Sequence, residues 1–173
     1  GPTLTGTDEI VREGDLAIRR MRDEADDYAL MTRWRNEPHV ARWWENDDDP
    51  TPTTLERIME HYGPRTDDDS DTTSCVIELA GRPIGYVQFY PWGAYGDVVR
   101  DMGFEVPERT FGIDIFVGEP GVVGLGYGSR TVDLLSRYLF AERGASRIGI
   151  ASCLRSSFLS AAPSCVTVSH WST

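Results

Sequence analysis

The sequence predicts an α/β (α+β) fold, and three features point there. Residues 75–90 read as an antiparallel hairpin, residues 111–117 as a mostly apolar strand, and a glycine-rich turn joins that strand to a long amphipathic helix. Length agrees, since 173 residues with 40% hydrophobic content suit one domain closed over one core.

The elements follow in order. Residues 1–14 are polar and lack a basic start and a long apolar run, so they read as a disordered lead-in and not as a secretory signal. Leu16, Ile18 and Met21 lie in a segment with strand-like alternation, and Tyr28, Leu30, Met31 and Trp34 recur at helical spacing. The stretch 39–44, ending in Trp43 and Trp44, is too aromatic for an ordinary linker, and an acidic loop with proline follows to residue 52. Thr53 and Glu56 have capping-box spacing, which starts a helix that ends near Tyr62 before Gly63 and Pro64. In the hairpin, Ala80 and Gly81 form the turn between residues 75–79 and 84–90. Residues 91–108 make a loop rich in glycine and acids, long enough to carry function. After the strand 111–117 and the turn 118–128, the long helix ends near Arg143 and Gly144, and residues 147–150 form one more strand. Residues 151–173 change character: they hold no Asp or Glu, and Arg155 is their one formal charge.

Charge narrows the partners. Asp and Glu number 28 against 17 Lys and Arg, a net charge of -11, which disfavours nucleic acid and anionic membrane and attracts a cationic ligand. Cys75, Cys153 and Cys165 are odd in number and lack paired spacing, so neither a disulfide framework nor a metal site is indicated. With no apolar run of membrane-spanning length, a cytoplasmic protein with reduced cysteines is expected.

The turn from Val122 to Ser129 is the most informative stretch. Gly124, Gly126 and Gly128 permit positive φ and close approach of a ligand, and amide N–H groups converge where a helix starts. Such a turn suits a phosphate or pyrophosphate, although a purely structural turn has the same composition. Its position, late in the chain and after an antiparallel hairpin, is not that of a dinucleotide fold.

At these residues the chain resembles the acetyl-CoA-dependent N-acetyltransferase (GNAT) superfamily, whose pyrophosphate loop reads Gln/Arg-x-x-Gly-x-Gly/Ala. Val122 stands in place of the usual Gln or Arg. Trp43 and Trp44, Tyr62, residues 85–90 and residues 112–114 are similar to the aminoglycoside 6′-N-acetyltransferases. The resemblance covers about residues 15–150 and implies a central mixed sheet, mostly antiparallel and flanked by helices. It implies acetyl-CoA as co-substrate, with Val122, Val123, Gly124, Leu125, Gly126, Tyr127, Gly128 and Ser129 at the pyrophosphate and the backbone of Ile115 and Val117 at the pantetheine. The implied acceptor is an aminoglycoside, a cationic small molecule, touched by Trp44, Tyr62, Gln88, Tyr90, Asp97 and Asp114. A monomer or weak homodimer is expected.

The chemistry asks for a proton acceptor, because an amine attacks a thioester only as the neutral base. Asp114, a lone carboxylate on an apolar strand, can bind the ammonium and take its proton directly or through water, and the resemblance implies the same role. The plainer alternatives are a solvent-facing strand carboxylate at 114, a core tryptophan at 43 or 44, a helix-closing Tyr62 and merely solvated acidic loops. His39 and His61 show no partner in the sequence and are not nominated.

Past Ile150 the family's usual ending, an Asp-Pro/Asn loop, a Tyr-bearing helix and a Gly-Phe strand, is absent. The layout is therefore a lead-in at 1–14, an acetyltransferase domain at 15–150 and an atypical tail at 151–173, read as a replaced ending that leaves a sheet edge bare. A siderophore-pathway or lysine N-acyltransferase, and a non-catalytic acyl-CoA-binding module, are the alternative functions.

Overall fold

Alternating apolar residues build a seven-stranded sheet in which each strand lies beside its neighbour in sequence. The computed structural model describes residues 8–42, 52–95, 101, 109–152 and 166–169. The strands are β1 (Glu9–Glu13), β2 (Leu16–Arg20), β3 (Thr73–Leu79), β4 (Arg82–Pro91), β5 (Thr110–Val117), β6 (Arg147–Ser152) and β7 (Val166–Ser169). All neighbours are antiparallel except β5 and β6, which are parallel. This is the mixed, mostly antiparallel sheet the sequence predicts. The helices are α1 (Ala25–Arg35), α2 (Pro38–Ala41), α3 (Leu55–Tyr62) and α4 (Tyr127–Glu142). A parallel pair cannot be joined by a tight turn, and α4 is the crossover that joins β5 to β6.

Strand periodicity sorts the core into two layers. On one face Ile18, Ile77, Val87, Phe89, Ile113 and Ile115 pack with Leu134, Leu135 and Leu139 of α4. On the other, Val76, Tyr86 and Phe116 pack with Tyr28, Met31 and Trp34 of α1, Val40 of α2, and Ile58 and Tyr62 of α3. Trp34 lies so close to the end of β5 that a Cβ at Gly118 would sit 2.2 Å from its Cγ, so only glycine fits there. Beneath α1, the buried Arg19 guanidinium meets Asp27 through two bonds of 2.9 Å and Glu78 at 3.1 Å, fastening β2 to the helix and to β3. Removing one partner of such a network costs on the order of 3–5 kcal/mol, because a charge is left buried and uncompensated.

The hairpin turn is as expected: Ala80 (φ 51°) and Gly81 (φ 79°) are both left-handed, the pattern of a two-residue turn whose twist matches its strands.

Three expectations are corrected. Residues 9–13, assigned to a disordered lead-in, form β1 and pair with β2, because Ile10 and Val11 find apolar cover on the core that α4 and the sheet share. Thr53 does not cap α3; its amide donates to Asn36 Oδ1 at 2.9 Å, and Thr54 accepts from Arg57 N at 3.3 Å instead. The tail does not leave β6 bare, since β7 pairs with it antiparallel from Ile148↔Ser169 to Ala151↔Val166. Among the described residues no helix is long and apolar enough to cross a membrane.

Candidate active site

The β4–β5 register places Tyr86 opposite Phe116, Gln88 opposite Asp114 and Tyr90 opposite Gly112, so these side chains share the face covered by α1 and α3. Gly112 makes room for its neighbour: a Cβ there would lie 2.5 Å from Tyr90 Cζ, and the ring would have to shift. The missing methyl lets the Tyr90 ring lie against β5 and bring its hydroxyl to 3.5 Å from Asp114 Oδ1.

Asp114 ends a continuous polar chain. Gln88 Nε2 donates to Asp114 Oδ2 at 2.7 Å. Gln88 Oε1 accepts from the Tyr86 hydroxyl at 2.7 Å and from Arg65 Nη1 at 2.9 Å, which fixes the amide with its N–H toward the carboxylate. Tyr86 has thereby committed its proton, so Ser74 Oγ, 2.8 Å away, donates to it. Burial pushes the Asp114 carboxyl above its ordinary value, while the bonds from Gln88 and Tyr90 and the charge of Arg65 pull it partly back. A carboxylate so raised is a better proton acceptor than one in water.

Tyr62 departs from expectation. It is fully buried, edge-on to Tyr86 with centroids 5.4 Å apart, and its hydroxyl accepts from Arg35 Nη1 at 2.6 Å. It supports the site from behind and presents no surface to an acceptor. Trp44 and Asp97 lie outside the described residues.

The turn after β5 begins at Glu119, whose Oε1 accepts from Trp34 Nε1 at 3.0 Å and from Arg33, a pairing that lowers the Glu119 carboxyl below its ordinary value. After a single 3-10 turn at Pro120–Val122, Gly124 (φ 82°) and Gly126 (φ 89°) take left-handed conformations. Gly126 caps α4 without a side-chain bond, and the first helical bond is Arg130 N to Gly126 O, so the amides of Tyr127, Gly128 and Ser129 have no intrahelical acceptor. No acid occupies the first turn of this 16-residue helix. Amides, dipole and open backbone suit a pyrophosphate. Gly128 is a correction in detail: it is a buried helical residue and not a third left-handed one.

Between these two features lies the end of β5. Gly118 N donates to Ile84 O at 2.8 Å, so by the antiparallel alternation the peptide groups of Ile115 and Val117 point away from β4. The β6 register ends at Ile115↔Ser152, and Val117 lies beyond it. His39 Nε2 reaches the Val117 carbonyl at 2.9 Å. Sequence reasoning passed over His39, Arg65, Ser74 and Tyr86 as site residues; each acts on a partner brought in by another element or strand position, and none carries a local signal. No cluster able to hold a metal occurs among the described residues.

A mixed sheet with one parallel pair, a helix start shaped for pyrophosphate and a carboxylate on the intervening strand define an acyltransferase of the coenzyme A-dependent kind. The chain matches the acetyltransferase (GNAT) domain family over residues 23–153. It is 27% identical over 139 residues to the aminoglycoside N(6')-acetyltransferase type 1 of Klebsiella pneumoniae and to that of Serratia marcescens, a span of 80% of this chain and 67% of each relative. Among solved structures it is similar to aminoglycoside acetyltransferase AAC(6')-Ib in complex with ribostamycin and coenzyme A (TM-score 0.67, 27% identity, 80% of this chain and 74% of that one). A complex of that acetyltransferase with coenzyme A and kanamycin is comparably similar (TM-score 0.65, 27% identity, 79% and 73%). The chain belongs to the GNAT acetyltransferase domain family. It is an N-acetyltransferase, and acetyl-CoA is its acyl donor.

Proposed function

We propose that this enzyme transfers the acetyl group to an amine of an aminoglycoside, as an aminoglycoside 6′-N-acetyltransferase of the cytoplasm, and thereby gives resistance. The observation that carries the reading is Asp114, a carboxylate raised by burial and aimed by Gln88, on the strand that leads into the amide-lined turn. The net charge of -11 favours a polycationic acceptor, and two curated relatives at 27% identity act on aminoglycosides.

In this reading the amides of Tyr127, Gly128 and Ser129 hold the pyrophosphate, and the backbone of Ile115 and Val117 aligns the pantetheine. Asp114 binds the acceptor ammonium and takes its proton. The freed amine forms the N–C bond and the C–S bond breaks; the proton that the new amide nitrogen sheds goes to solvent, and the departing thiolate is protonated from solvent. Gln88 and Tyr90 hold the accepting carboxylate, and Trp44 and Asp97 are proposed acceptor contacts.

Thiol release from acetyl-CoA, followed across kanamycin, ribostamycin, spermidine and free lysine, tests the proposal. Acceleration by the aminoglycosides is expected. Acceleration by lysine alone would move the enzyme to the lysine and siderophore acyltransferases, and coenzyme binding without transfer to any amine would reduce it to a binding module.

A further inference from the structure

Arg65 follows α3 in the 3-10 turn Gly63–Thr66, which Thr66 Oγ1 closes with a 2.7 Å bond to Gly63 O. Its guanidinium lies 5.7 Å from the centre of the Tyr62 ring, and Nη1 donates to Gln88 Oε1 at 2.9 Å. Among the described residues its hydrogen-bond acceptor is a neutral amide oxygen. The same amide passes its N–H to Asp114 at 2.7 Å, so Arg65, Gln88 and Asp114 form one line from cation to carboxylate.

We propose that Arg65 is a positioning residue for the proton-accepting carboxylate: acting through Gln88, it fixes the orientation of Asp114 and favours its charged form. Polarisation of the amide by the guanidinium strengthens the N–H that faces the carboxylate, because hydrogen bonds in a chain reinforce one another in a medium of low dielectric. The ring of Tyr62 and the Ser74–Tyr86 pair hold the line in place from either side. Among the described residues, the groups facing Asp114 are Gln88 and Tyr90 of β4 and Arg65, with Tyr62 and Tyr86 behind them and the backbone of Ala151 beside it on β6. Burial remains the larger influence on Asp114, and the bonds from Gln88 and Tyr90 and then the positive charge of Arg65 oppose it in part.

The inference rests on the proposed role of Asp114, and its test separates the two. The full chain, with acetyl-CoA and the aminoglycoside it turns over fastest, is assayed for kcat/KM across pH as wild type, R65K, R65Q, R65M and D114N. Titration of the acceptor itself is common to all and cancels in the ratio to wild type. Loss of Arg65 leaves Asp114 easier to protonate, so R65Q moves the acid limb to higher pH and loses activity most on the acid side. R65K keeps the charge and stays near the wild-type profile. R65M keeps the apolar contact with Tyr62, carries the expectation of R65Q and serves if that variant fails to fold. An R65Q or R65M profile lowered evenly at every pH, or an R65K limb displaced as far as either, overturns the inference. An acid limb intact in D114N removes Asp114 from the mechanism, whereas a limb lost in D114N and unmoved in R65Q and R65M sinks Arg65 alone.

Discussion

His39 Nε2 lies 2.9 Å from the carbonyl oxygen of Val117, a residue 78 positions further along the chain. A carbonyl only accepts, so Nε2 carries the proton, and the bond ties α2 to β5 where the chain leaves the sheet for the glycine turn. A net hydrogen bond of this kind contributes about 1 kcal/mol. His39→Ala should therefore lower the melting temperature by roughly 2–4 °C. His39→Gln, which can still donate, should lose less, and equal melting of all three proteins would show that the bond contributes nothing.

Asp114→Asn preserves shape and removes the proton acceptor. A positioned general base typically contributes about 10²–10⁴-fold, and kcat/KM should fall within that range while the melting curve stays close to wild type. Turnover at the wild-type rate in the folded variant excludes Asp114 as the base.

Two glycines of one turn should respond differently. An alanine Cβ would meet nothing within 4 Å at Gly121 or at Gly126, yet only Gly126 is left-handed. Space is thus not the discriminator; backbone strain is, at about 1–2 kcal/mol for an L-residue in that region. Gly126→Ala should destabilise by that amount and raise KM for acetyl-CoA with little change in KM for the acceptor. Gly121→Ala should leave both untouched, as differential scanning fluorimetry and initial rates will report.

Cys75 is fully buried, and burial pushes its thiol from 9.0 up to about 12. The folded state therefore holds this proton more tightly than the unfolded chain does. Its contribution is complete below about pH 9 and is lost as pH rises toward 12, at no more than about 1.4 kcal/mol per pH unit for one proton. Denaturant unfolding of wild type and Cys75→Ala should show the difference between them shifting against wild type over that window. In a chain with Cys153 and Cys165 replaced by serine, the remaining thiol should resist a thiol reagent at pH 8 until denaturant is added.

What was legible in the sequence alone was short-range. Tyr28, Met31 and Trp34 share one buried helical face because 3.6-residue spacing is a local property, and the left-handed Ala80–Gly81 turn and the Gly126 cap likewise depend on a few consecutive residues. Asp114 stood out as the one charge on an apolar strand, and the structure keeps it where that pattern suggested. The tertiary structure decided the rest. Whether Tyr62 faces an acceptor or a core depends on Tyr86, Arg35 and Arg65 arriving around it, and its spacing at the end of a helix is the same in either case. Residues 9–13 became a strand only because β2 offered an edge, and Arg65 gained meaning only when Gln88, 23 residues later, came within 2.9 Å. Local preference is written in neighbouring residues, but a hydrogen bond between distant segments exists only once the chain has closed the loop between them, and no window of sequence contains both partners.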